Sequence, residues 1–434
     1  MNEALTAAER TAPEQLSERQ VALLQRRTIW VLSIATVLGG LGVGATLSVG
    51  ALLLAEVSGD DAISGLASAM FNAGAAAAGI PLARLAMKRG RRSALVIGST
   101  IAMVGAVVAV YSTTIGQWWL LAIGLGLIGV ASAVQLLSRF SATDLALPRK
   151  RARDLSLVVW SITIGAVVGP NLIAPGEAVG NAIGVTPLAG VFVFTFFAQV
   201  LAALVNWLGL RPDPLLTARR LRSVEAAHSP NSPGEGSVLG DRWSQSLTIF
   251  VVAMAQAIMV ALMAMAPLHL MHHEGTAEIV GFTLSLHIAG MYALSPVFGM
   301  LASRFGRIQV IVLGWVLLLL AIVVAYVSGS SHLLVQVSLT LLGLGWSAVT
   351  VAGAALLTEI TPAHERPRWQ GRSDAFMSLA GAVAGALSGV VFALGDYSFL
   401  ALVTGLLLVA GAVASIQITL RGRRGKAGAP PASR

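Results

Sequence analysis

The 434-residue chain contains no cysteine, so it has no disulfide framework and no thiolate metal or redox centre. Charge is scarce as well: only 11% of residues are charged, where a soluble domain carries about a quarter. No G-x-x-x-x-G-K-[ST] loop is present to harness a nucleotide, and no catalytic constellation stands out, so an enzyme is not expected. Apolar residues are abundant: 56% are hydrophobic, mean hydropathy is +0.79 and glycine occurs 46 times. The net charge of +9 would suit a nucleic-acid partner. The basic residues, however, are dispersed between long apolar blocks, so the partner expected is a lipid bilayer and not nucleic acid.

A membrane-spanning helix needs roughly 20 apolar residues. Twelve such stretches occur, near 28–56, 62–86, 93–113, 117–138, 155–175, 187–210, 246–268, 279–302, 308–328, 333–357, 374–394 and 398–420. The first is too long for a signal peptide and lacks a cleavage site, so it counts as a span. All 29 Lys and Arg then fall on the side holding both termini. By the positive-inside rule that side is the cytoplasm of a bacterial inner membrane. The opposite connections carry acids and histidines only: Asp60, Asp61, Glu177, Glu274, Glu278, Asp396, His269, His272, His273 and His332.

The division expected is a cytoplasmic segment 1–27, a six-helix bundle 28–210, a linker 211–245, a second bundle 246–420 and a basic tail 421–434. The linker combines Arg219, Arg220 and Arg222 with a turn-rich run from Ser229 to Gly236. Glycines repeat between the bundles at one offset: Gly90 with Gly306, Gly129 with Gly345, Gly165 with Gly381 and Gly169 with Gly385. A doubled six-helix unit points to an all-α membrane protein with parallel repeats.

The stretch Gly299, Leu301, Ala302, Ser303, Arg304, Gly306 and Arg307 resembles the loop signature G-x-L-a-D-R-x-G-R of major facilitator transporters. Its first-half copy keeps Gly90, Arg91 and Arg92. The resemblance implies the major facilitator fold and gives Gly90, Arg91, Arg92, Gly299, Arg304, Gly306 and Arg307 a gating role. The Asp of the signature is replaced by Met87 in one copy and Ser303 in the other. Arg139, Asp144, Asp154, Glu359 and Asp374 are candidates for a substitute network, or equally solvated surface charges. Gly165, Gly169 and Pro170 resemble a Gly-Pro motif of facilitator antiporters, and read more plainly as a kinked, close-packed helix.

Intramembrane charge usually marks a transport site, yet Glu56, Arg84, Arg139 and Asp374 all sit near span ends. Seven of the twelve methionines instead gather within 246–302: Met254, Met259, Met263, Met265, Met271, Met291 and Met300. Met259 and Met263 share one helix face, as do His287 and Met291. At about 1.5 Å per residue both pairs lie roughly 12–14 Å below the histidine-bearing side. Three thioethers and an imidazole suit Cu(I), although methionine is also a common gap-filler in apolar cores.

The paired M-x-x-x-M and H-x-x-x-M spacing resembles the CcoA-like bacterial copper importers, major facilitator proteins themselves. That resemblance implies copper as substrate, with no prosthetic group, held by Met259, Met263, His287 and Met291. His269, Met271, His272 and His273 are a possible collecting site at the outer mouth, or simply polar loop residues. The chain is thus expected to be a monomeric secondary carrier of copper. The alternative is a carrier of a small organic solute such as a flavin or drug-like compound, with Trp160, Trp346, Phe376 and Tyr292 available for stacking. A receptor or scaffold that does not transport is a third reading.

Overall fold

The computed structural model of the chain describes residues 17–147, 150–228, 242–362 and 365–427. Among the described residues eleven helices are long and apolar enough to cross a membrane. The first six are α1 (Glu18–Ser58), α2 (Asp61–Arg89), α3 (Arg91–Thr114), α4 (Trp118–Ser141), α5 (Arg153–Ile183) and α6 (Pro187–Leu221). Then follow α7 (Arg242–His272), α8 (Ala277–Phe305), α9 (Arg307–Val327) and α10 (His332–Glu359). The last, Arg368–Arg421, is two passes, because the backbone leaves helical geometry at Gly395 and Asp396. Residues 368–394 are α11 and residues 397–421 are α12, which gives twelve crossing segments.

Local chemistry sets the ends of these helices. Ser17 and Gln20 form a capping box that starts α1, and Gly59, with φ 70°, ends it in the left-handed conformation. The Asp396 carboxylate accepts the backbone N–H groups of Ser398 and Phe399, capping α12. α1 begins about ten residues before the apolar stretch does, so part of the supposed N-terminal segment is helix. The range of α6 takes in a break at 210–213, after Gly209, and the start of a second helix, Pro214–His228, that runs into the linker, while Ser229 to Gly236 lie outside the described residues. Helix also continues past α12 to Ala427, and the rest of the basic tail lies outside them.

Helices α3, α6, α9 and α12 form the periphery. On α9 the exposed side chains Val312, Val316, Leu319, Leu320, Val323 and Val327 recur at helical spacing. On α12 Leu402, Leu406, Val409, Val413 and Ile416 do the same. Apolar stripes of this size suit lipid and not water. In lipid no hydrophobic force pulls helices together, so close backbone packing has to do it. The glycines supply that contact. A methyl group at Gly74 would collide with the Gly126 carbonyl, and one at Gly165 with the Val37 carbonyl.

The two halves meet tightly at one end only. At the end bearing the histidines, a methyl group at Gly65 of α2 would strike the Gly385 carbonyl of α11, and one at Gly389 the Ala62 carbonyl. On the other side of the bundle Asn171 of α5 donates to Ser285 Oγ of α8 at 2.7 Å, and Ser285 donates to the Val167 carbonyl at 2.7 Å. Ser64 donates to the Met265 sulfur at 3.4 Å, and His272 faces Asp61 at 3.4 Å. At the end bearing the arginines the halves part. Chambers of about 440 Å³ and 680 Å³ open there, one between α2, α4 and α11, the other between α5 and α8.

Candidate functional site

Between the halves lies a central cavity of about 280 Å³. Its wall is drawn from α1, α2, α4 and α5 of the first half and α7, α8, α10 and α11 of the second. Most of it is apolar or aromatic. Tyr292 and Trp346 meet edge to face, their rings 6.0 Å apart at 75°. The Trp346 indole N–H donates to Gln256 Oε1 at 2.7 Å, which fixes the ring plane. Two wall residues, Gln135 and Thr350, each hold a buried polar atom, Nε2 and Oγ1, with no hydrogen-bond partner among the described residues. Unsatisfied buried donors cost about 1–3 kcal/mol each.

Met259, Met263 and Met291 all reach this wall, whereas His287 is not among the lining residues. His287 is fully buried, and its Nδ1 donates to the Leu339 carbonyl of α10 at 2.7 Å. Its Nε2 has no partner among the described residues. The physical reason lies in helix order. Only a short connection joins α7 to α8, yet α8 rests mainly on α10, which stands between them. Glycines make that packing close: a methyl group at Gly343 would collide with the His287 carbonyl. His287 therefore turns toward α10, while the three thioethers face the cavity.

The histidines of the outer hairpin turn to separate partners. His269 Nε2 donates to the Gly329 carbonyl at 2.9 Å, and its ring stacks on Tyr397 at 4.7 Å. His273 Nδ1 bonds the His269 carbonyl at 2.9 Å, His272 faces Asp61, and Met271 is exposed. Among the described residues no group of three or more His, Asp or Glu is arranged to hold a metal ion.

The arginine-rich loops show the repeat most clearly. Gly90 (φ 88°) and Gly306 (φ 106°) both take conformations that side chains resist, turning the chain directly into the next helix. Arg91 forms a buried two-pronged pair with Asp144, at 2.9 and 3.2 Å. Arg307 pairs with Glu359 at 3.1 Å in a more exposed setting. Asp154 accepts from Gln25 at 2.8 Å. Neither residue at the signature's Asp position replaces the carboxylate. The Ser303 hydroxyl donates back to the Gly299 carbonyl, and the Met87 carbonyl and sulfur accept from Arg219. Asp213 fills the first-half vacancy, accepting the Arg92 N–H at 2.8 Å. Arg304 and Gly299 line the chamber between α5 and α8. Gly165 and Gly169 pack on the α1 backbone, with Pro170 in a 3-10 turn that bends α5.

Sequence did not show the surroundings of three residues. Arg139 and Asp374 do lie near span ends, and both also line the central cavity. Asp213, the third residue of the linker, had no signal beyond its place three residues after Leu210.

Two similar half-bundles around a cavity, sealed at one end and open at the other, form the frame of a membrane carrier. The family model of the Major Facilitator Superfamily matches residues 32–277 and 246–434, and the chain belongs to that family. It is a transporter and not an enzyme. It is 37% identical over 391 residues to the uncharacterized MFS-type transporter YdeG of Bacillus subtilis strain 168, covering 88% of this chain and 90% of that one. It is 27% identical over 361 residues to the riboflavin transporter RfnT of Brucella anthropi, covering 82% and 86%. The fold is similar to the xylose transporter XylE from E. coli in a partially occluded inward-open conformation, with TM-score 0.65, 15% identity and coverage of 90% and 96%. None of these proteins is named for copper, and the likeness to copper importers has no support among them.

Proposed function

We propose that the chain is a secondary carrier of a small, ring-bearing organic solute, working by alternating access in a bacterial inner membrane with both termini cytoplasmic. The observation that carries this reading is the central cavity: an aromatic pair held by a hydrogen bond, on a wall whose residues include polar groups with no partner among the described residues. That combination of apolar walls and a few orienting groups is what small-molecule sites offer. The similarity to a riboflavin transporter supports a flavin-like solute. The test is riboflavin uptake into proteoliposomes containing the full chain. Wild type accumulates the flavin, and Trp346→Ala lowers uptake by about tenfold, the loss expected of a buried aromatic contact. Absence of flavin uptake by wild type overturns the flavin assignment.

A second reading is Cu(I) as substrate, favoured by one observation: the thioethers of Met259, Met263 and Met291 on the cavity wall. His287 donates one ring nitrogen to a backbone carbonyl and has no partner for the other among the described residues, which is how a metal-binding histidine is commonly oriented. Copper uptake in the same vesicles, lowered by Met263→Leu and His287→Ala, would support it. Equal uptake by all three proteins would remove it.

A further inference from the structure

Aromatic walls do not account for the polarity of the central cavity. Arg139 and Asp374 are the two formally charged residues on its wall. They come from opposite halves, Arg139 from α4 and Asp374 from α11. Among the described residues neither side chain makes a hydrogen bond or ion pair. Arg91 and Arg307, by contrast, are each taken up by a carboxylate of their own half. Tyr292 lines the same cavity as Arg139 and Asp374. Arg139 lies in the last turn of α4 and Asp374 within two turns of the start of α11, so both stand at the arginine-bearing mouth of the cavity, where an ionisable group facing the path and not lipid meets what crosses.

We propose that Arg139 and Asp374 determine substrate specificity, holding a solute that is neutral overall, with an acceptor edge on Arg139 and an N–H or O–H donor on Asp374. The solute's ring then lies against Trp346 and Tyr292. This rests on the organic-solute reading above. The two formal charges on the wall cancel, so an anion that gains Arg139 must also meet Asp374, and the like charge rejects it. A neutral molecule with donor and acceptor on one rim meets neither penalty.

The test uses the full chain in nanodiscs, with riboflavin as the neutral probe and riboflavin 5′-phosphate as the anionic one. Binding is read from quenching of flavin fluorescence. The ratio of the two affinities within each protein does not depend on how much of the sample is folded. Wild type prefers riboflavin. Asp374→Asn moves the ratio toward the phosphate ester by at least about tenfold, and Arg139→Gln moves it the other way, as loss of a charge-assisted contact requires. Asp374→Glu keeps the wild-type ratio, and exchanging the charges (Arg139→Asp with Asp374→Arg) restores the preference for riboflavin. Unchanged ratios in both single neutral variants, with riboflavin still bound, overturn the specificity assignment and leave the organic-solute reading standing. Failure of wild type to bind either flavin overturns both.

Discussion

The two ends of the bundle are held by different means. At the histidine-bearing end the contacts run between halves: glycine on backbone at Gly65 and Gly385, Asn171 to Ser285, and His272 beside Asp61. At the arginine-bearing end both arginine–carboxylate pairs stay within one half, Arg91 with Asp144 and Arg307 with Glu359. The difference separates two free energies. Contacts inside a half persist whichever end is open, and they set stability. Contacts between halves exist in one state only, and they set the balance of states.

The largest expected effect tests the first kind. Asp144→Ala leaves a largely buried Arg91 without its partner at the edge of an open chamber, which costs about 3 kcal/mol, the low end for a buried pair. It lowers the unfolding temperature in a thermal melt while leaving the balance of the two ends nearly unchanged. Its counterpart Glu359→Gln removes a more exposed pair worth at most about 1 kcal/mol, so the melt should barely move. Equal losses from both would break the claim that burial separates the two copies.

Gly65→Val tests the second kind. The side chain overpacks a helix crossing by about 1–3 kcal/mol, and this falls on the closed end alone, so the populations shift roughly 5–150-fold. Because the chain has no cysteine, a single Ser68→Cys at the buried crossing reports its own accessibility to a maleimide. Its labelling should rise sharply with Gly65→Val while the melt stays close to wild type. A collapsed melt with unchanged labelling would reverse the assignment. The smallest effect belongs to Asp61→Asn, which loosens an exposed pair worth no more than about 1 kcal/mol and shifts the same labelling less than about fivefold.

Much of the fold was legible in the sequence because the bilayer imposes local rules. Twelve apolar stretches and one-sided basic residues follow from the cost of taking charge and open backbone into hydrocarbon. The repeat at Gly90 and Gly306 was legible because a positive φ before a new helix selects glycine in both halves. The site was less legible. His287 and Met291 share a spacing, but Met291 faces the cavity and His287 turns to Leu339. Arg139 and Asp374 read as span-end charges because position along a helix says nothing about which neighbour stands opposite.

From the amino-acid string follow the spans, their likeness in two sets of six, and the side on which cations collect, since each depends on hydropathy or charge summed over a few turns. Which helix stands between α7 and α8, which end is shut, and which charges line the cavity were settled by packing of residues far apart in the chain. Small residues let those backbones touch, and the rotation of each helix about its axis is fixed only once its neighbours are in place.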